Sequence, residues 1–156
     1  IPLRLVGSEM CIRDRLTALG RVWWLDVAHN RESVGRLAIA LALQSDGVET
    51  HAIFGAMADK PLRAMIERMA DRVSSWHLPT HEGVVRAAAP VDLAELIKTI
   101  SPKATVQCYP TPEMAFTGIE NASKPGDRIL VFGSFVTVGA QLACLQQVPT
   151  GQETFD

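Results

Sequence analysis

A chain that contains Val22-Trp23-Trp24-Leu25-Asp26-Val27-Ala28-His29-Asn30 has few folds open to it. The apolar run has no polar alternation, which predicts a strand covered on both faces, and it stops at a carboxylate, a histidine and an amide before a helical pattern begins. Strands of that kind belong to parallel sheets with helices above and below. In such sheets ligands collect where strands end and helices begin, because the helix N-termini there carry unpaired backbone N–H groups. Asp26 stands at that edge. A carboxylate only accepts hydrogen bonds and suits a pair of hydroxyls such as those of a ribose, while His29 and Asn30 can donate to phosphate oxygens. The plain alternative is that Asp26 and Asn30 cap the following helix and His29 lies on the surface.

The rest of the chain repeats the pattern. Over 32–44, Val34, Leu37, Ala38, Leu41 and Ala42 fall on one helical stripe, with Asn30 as N-cap and Asp46-Gly47 marking the end. A strand is predicted at 48–54. The turn Gly55-Ala56-Met57-Ala58-Asp59-Lys60-Pro61 then leads into a helix over 62–72, with Leu62, Met65, Ile66 and Met69 inward. A polar short strand follows at 73–78, then a surface connection over 79–90 that carries His81. A helix at 91–100 turns Leu93, Leu96, Ile97 and Ile100 inward; a strand at 105–109 and a helix at 112–122 come next. Lys124-Pro125-Gly126-Asp127 is a strong turn before the last apolar strand, 128–132, and Gly133-Ser134 opens a final helix that ends near Gln147. The β-α alternation occurs five times. It predicts a three-layer, doubly wound α/β domain: a mostly parallel sheet of five to six strands with helices on both faces. Three polar turns then lie at strand ends, 26–30, Asp59-Lys60 and Gly133-Ser134, and they share one edge if their strands are neighbours. Lys60 offers a positive charge to an acidic ligand or, alternatively, pairs with Asp59. Around Gly133 the small residues let backbone N–H groups approach an anion, with the Ser134 hydroxyl as a further donor, or else they serve tight packing alone.

Composition narrows the function classes. The 156 residues carry a net charge of -2 with Lys and Arg scattered among acids, so no basic stripe points to DNA or RNA. No apolar run approaches the roughly 20 residues of a membrane span. Cys11, Cys108 and Cys144 are odd in number and have no metal-like spacing, which predicts free thiols and a cytoplasmic setting. His51, His77 and His81 have no ligand-spaced partner in sequence, so they read as structural or exposed and no metal site is predicted. No G-x-x-x-x-G-K-[ST] loop, G-x-S-x-G elbow or G-x-G-x-x-G turn is present, and any triphosphate chemistry needs another domain to hold the phosphates and Mg²⁺. Residues 1–15 are expected to be a non-native or disordered leader: Ser8-Glu9-Met10-Cys11-Ile12-Arg13-Asp14-Arg15 fits no structural template and resembles the in-frame translation of a sequencing-library adapter. The domain is placed at 16–148, and 149–156 is expected to be a frayed tail.

Three segments together carry a family likeness. Leu25-Asp26-Val27-Ala28-His29-Asn30, Phe54-Gly55-Ala56-Met57-Ala58-Asp59-Lys60 and the run from Arg128 to Gly139 resemble, in order and spacing, the carboxy-terminal domain of bifunctional folylpolyglutamate synthase/dihydrofolate synthase, within the Mur ligase superfamily. The likeness covers about residues 21 to 148. It departs at Arg31, where the family usually has proline. The resemblance implies an ATP-dependent amide ligase in which ATP phosphorylates a substrate carboxyl and glutamate displaces the phosphate. By position Asp26 would hold the ribose of ATP, His29 and Asn30 would face its phosphates, and Lys60 and Ser134 would help hold the incoming amino acid. The phosphate loop, the Mg²⁺ ligands and most of the site for dihydropteroate or folate would lie in amino-terminal and central domains of the same polypeptide, which is expected to be a monomer. A peptidoglycan-building Mur ligase is the alternative within the superfamily, and a non-catalytic nucleotide-binding or docking module is the alternative outside it.

Overall fold

The computed structural model describes residues 5–6, 11–44 and 47–152. Residues 1–4 and 7–10 of the leader, Asp46 of the first helix end, and 153–156 of the tail lie outside the described residues. Two strands, β1 (Leu5–Val6) and β2 (Cys11–Ala18), precede β3 (Arg21–Asp26), the uninterrupted apolar run that ends in Asp26. The chain then alternates: α1 (Arg31–Leu43), β4 (Thr50–Phe54), α2 (Leu62–Met69) with a 3₁₀ turn at Ala70–Arg72, β5 (Ser75–Pro79), α3 (Pro90–Ile100), β6 (Thr105–Tyr109), α4 (Pro112–Ala122), β7 (Arg128–Phe132), α5 (Phe135–Leu145) and β8 (Thr150–Gln152). Helix starts follow local chemistry. Asn30 and Ser33 form a reciprocal capping box on α1, Thr111 and Ser134 cap α4 and α5, and Pro90 and Pro112 occupy first turns where a missing N–H costs nothing.

Strands β3, β7, β4, β5 and β6 lie side by side in that order and run parallel. Helices α1, α2 and α3 cover one face, packing Val34, Leu37, Leu41, Met65, Ile66, Met69, Leu93 and Ile97 onto Trp24, Phe54, Trp76 and Phe132. Helices α4 and α5 cover the other, placing Ile119, Val138 and Leu145 on Trp23, Ile53, Ile129 and Val131. The predicted three-layer, doubly wound architecture is the one observed. No helix among the described residues is long and apolar enough to cross a membrane.

The strand count differs from the five to six expected: eight strands form the sheet among the described residues. The three additional ones come from segments to which the sequence reading gave no element. β2 pairs antiparallel with β3, from Arg13 opposite Asp26 to Ala18 opposite Arg21, and β1 and β8 pair with β2. An edge at β3 would leave a row of N–H and C=O groups unpaired beside a fully covered strand, and β2 removes it. The hairpin was invisible because its turn, Leu19-Gly20, takes positive φ at both residues (56° and 75°) without the Asn or Asp that advertises such turns. Arg15 stands opposite Trp24, and its guanidinium lies 3.8 Å from the ring centroid.

The face under α4 and α5 carries a polar chain. Asp127 Oδ2 is hydrogen-bonded to His51 Nε2 at 3.1 Å, His51 Nδ1 to Ser75 Oγ at 2.6 Å, Ser75 Oγ to His77 Nε2 at 2.8 Å, and His77 Nδ1 to the Tyr109 hydroxyl at 2.7 Å. Gly118 lets Tyr109 reach it, since a Cβ there would overlap the phenol. Each buried polar atom of the chain is thereby satisfied, which is what lets it sit inside the sheet.

Burial, and secondarily the neighbouring His51, pushes His77 down from 6.5 to about 4. A histidine depressed in the folded state binds its proton more readily when unfolded, so its stabilisation is complete above 6.5 and is lost as pH falls through 6.5 towards 4. Urea unfolding at pH 7, 5.5 and 4 is expected to show a loss on the order of 2–3 kcal/mol over that window, and His77→Gln should flatten the dependence.

Candidate functional site at the carboxyl edge of the sheet

β3, β7 and β4 end at one level: Asp26 is in register with Phe132, and Phe132 with Phe54. The loops that follow, 27–30, 133–134 and 55–61, therefore leave from adjacent points of one edge. The strands are neighbours, so the three polar turns share one edge.

In the first loop Asp26 is almost fully covered, 1% exposed, and Oδ1 accepts the Ala28 N–H at 2.9 Å. The carboxylate thus holds the shape of the turn. His29 Nδ1 lies 3.0 Å from the Val27 carbonyl, which fixes the proton on Nδ1 and leaves Nε2 as the ring atom for a ligand; Nε2 donates to a phosphate only in the imidazolium form. Asn30 caps α1, its Oδ1 accepting from Ser33 N at 2.8 Å. The His29 and Asn30 N–H groups go to Ser33 Oγ at 3.1 and 3.2 Å. Most backbone donors of this turn are consumed internally, so the side chains and the first N–H groups of α1, those of Arg31 and Glu32, are what it presents. The capping contacts of Asn30 run through Oδ1 and the backbone, not through the amide Nδ2.

In the second loop Lys60 is half-buried, and its backbone ties the turn through Met57 O and Leu62 N. Asp59 pairs with Arg86 at 2.9 Å instead of with Lys60. The Arg86 hydrogen bond, foremost, holds the Asp59 carboxyl below its usual range. The segment 56–58 runs alongside 86–88, with Ala58 N bonded to Arg86 O and Ala88 N to Ala56 O. In the third, Ser134 caps α5: Oγ accepts from Thr137 N at 3.2 Å and lies 3.0 Å from Thr137 Oγ1. The two loops are drawn together there. Thr137 Oγ1 donates to the Gly55 carbonyl at 3.0 Å, and Gly133, at φ 115°, sits where a Cβ would overlap that carbonyl oxygen.

His81 and Thr137 belong to this constellation and were missed. His81 Nε2 lies 3.0 Å from Thr137 Oγ1, and burial pushes the ring below its ordinary value. The signal available was position alone: His81 follows the end of β5, the strand beside β4. No trio of metal-ligating side chains gathers at this edge among the described residues. Glu49, His51 and Asp127 do converge within 4.8 Å of one another, across strands and at the opposite, amino-terminal edge, which their spacing in sequence concealed.

A family model described as Mur ligase, glutamate ligase domain, matches residues 14–135. The chain belongs to this family. Among solved structures the fold is similar to E. coli FolC in complex with DHPP and ADP, at 20% identity and a TM-score of 0.74, over 94% of this chain and 31% of that one. It is similar also to the bifunctional folylpolyglutamate synthase/dihydrofolate synthase of Yersinia pestis CO92, at 25% identity and a TM-score of 0.70, over 94% and 31%. A structure of a bifunctional folylpolyglutamate synthase/dihydrofolate synthase with Mn, AMPPNP and L-glutamate bound matches at 26% identity and a TM-score of 0.68, over 94% and 32%. The chain thus spans about a third of the length of the solved proteins it matches. No curated protein is a significant match.

In this chain Gly133 is a packing requirement. Gly133→Ala is expected to destabilise the domain by about 2 kcal/mol or more, through strain at positive φ and overlap with Gly55, whereas Asn30→Ala should cost about 1 kcal/mol as a lost cap. Thermal unfolding of the two variants side by side checks the ranking.

Proposed function

We propose that this chain is the carboxyl lobe of an ATP-dependent ligase that joins glutamate to dihydropteroate or a folate through an acyl phosphate. The observation that carries the reading is the single edge on which the loops after β3, β4 and β7 meet, in a member of a glutamate ligase domain family. His29 and Asn30, with the N-terminus of α1, face the nucleotide phosphates. Asp26 orders their turn and stands nearest the ribose. Lys60 receives a carboxylate of the incoming glutamate, and Ser134 with the start of α5 lies beside the amino acid. The phosphate loop and Mg²⁺ ligands are supplied by amino-terminal and central domains of the same polypeptide, a monomer; the described rim offers no metal cradle, and no step of this lobe runs through the ion. The free thiols Cys108 and Cys144 suit a reducing cytoplasm.

In this reading the lobe acts by placement. Phosphoryl transfer is completed against the other domains, and closure of the lobe sets the amine against the acyl phosphate, an effect worth several kcal/mol when the geometry is right. Combined with the amino-terminal two-thirds of a FolC-type ligase, the chain is expected to restore ATP-dependent addition of glutamate. Lys60→Ala should raise KM for glutamate about tenfold with KM for ATP little changed, and His29→Ala should do the reverse, each a loss of roughly 1.4 kcal/mol. Absence of nucleotide binding and of glutamate addition in the combined protein would overturn the assignment.

A further inference from the structure

We propose that His81 is the proton acceptor for the ammonium group of the incoming amino acid, acting from Nδ1. The inference deepens the ligase reading and rests on it, but its first support is a donor count at Thr137. Thr137 Oγ1 carries one hydrogen and lies 3.0 Å from three groups: the Gly55 carbonyl, Ser134 Oγ and His81 Nε2. A carbonyl only accepts, so the Thr137 hydrogen goes to Gly55. Both remaining partners must then donate into the Thr137 lone pairs. His81 Nε2 therefore bears the proton, and the neutral ring keeps its free lone pair on Nδ1. That atom makes no hydrogen bond among the described residues and is not among the fully buried unpaired atoms of this half-buried residue, whereas Thr137 is fully buried. The ring is thus pinned through Nε2, and its basic nitrogen is left without a partner among the described residues.

The surroundings suit that task. Burial keeps the ring neutral near pH 7, the state that accepts a proton. The charged groups on the neighbouring segments are Glu82, the Asp59–Arg86 pair and Lys60. Asp59 is occupied by Arg86, and Lys60 only donates. Gly55 leaves the space: a Cβ there would meet Thr137 Oγ1 and, at 3.1 Å, His81 Nε2. The step balances without a further reagent. One ammonium proton passes to Nδ1, and the freed lone pair forms the C–N bond at the acyl carbon. The C–O bond to phosphate breaks with its electron pair on phosphate, and the nitrogen's second proton leaves with it. The imidazolium then returns its proton to solvent.

Two measurements test this. Long-range ¹H–¹⁵N correlation on the chain itself is expected to show His81 as the Nε2–H tautomer at pH 7, titrating below the ordinary histidine value; an Nδ1–H tautomer overturns the proposal whatever the enzyme does. In the combined ligase, His81→Gln retains an amide donor towards Thr137 but no base. It is expected to lower kcat roughly a hundredfold, with KM for ATP and glutamate within about threefold, and to abolish the acidic limb of the pH–rate profile. Unchanged kcat in a folded His81→Gln variant sinks the proton-acceptor role and leaves the ligase reading standing. If the wild-type combination adds no glutamate, both fall together.

Discussion

The contact that the candidate site depends on is the close approach of Gly133 to the Gly55 carbonyl, clamped by the Thr137 hydroxyl from the first turn of α5. Two parallel strands in register must end without splaying, and side chains at either position would push the loops apart. Glycine at both sites, one of them at positive φ, is the solution the backbone requires. From that contact the rest follows in order. β7 carries β3 beside it, so Asp26 comes to the same level; β4 carries the Lys60 loop; and the clamp's third partner brings in His81. The rim is held by short-range hydrogen bonds at the ends of a rigid sheet, the kind of support a positioned catalytic group needs.

The interior shows a different economy of polar groups on the two faces. Under α1, α2 and α3 the sheet presents aromatic rings packed edge to face and tilted, with Phe54 5.7 Å from Trp76 and 4.7 Å from Phe132. Under α4 and α5 two histidines, a serine and a tyrosine are threaded between carboxylates at the amino-terminal edge and the far strand β6. Such a chain is stable because every link has a partner. Its protonation is coupled to folding in a way the aromatic face is not, so the two layers respond differently to acid.

Much of the fold was legible in the order of residues. The uninterrupted apolar runs of β3 and β7, the helical stripes and the capping signal at Asn30 depend on period and on neighbours a few residues away, and they placed five parallel strands and five helices close to where they lie. The hairpin that completes the sheet was not legible. Leu19-Gly20 adopts its turn because β2 has an open edge to cover, and that edge is a property of the sheet. Among the candidate residues, the grouping of the three loops was legible as a condition, since it required only that their strands be neighbours.

By itself the sequence determined the alternation of strand and helix, the polar character of the turns at the strand ends, and the absence of a phosphate loop of its own, because each is carried by residues adjacent along the chain. Tertiary structure alone decided which turns meet, that Gly55 and Gly133 touch, that Asp59 is taken by Arg86, and that His81 reaches Thr137. These depend on atoms from segments far apart in sequence coming within about 3 Å of one another, and hydrogen-bond satisfaction at that range is set by packing across the sheet.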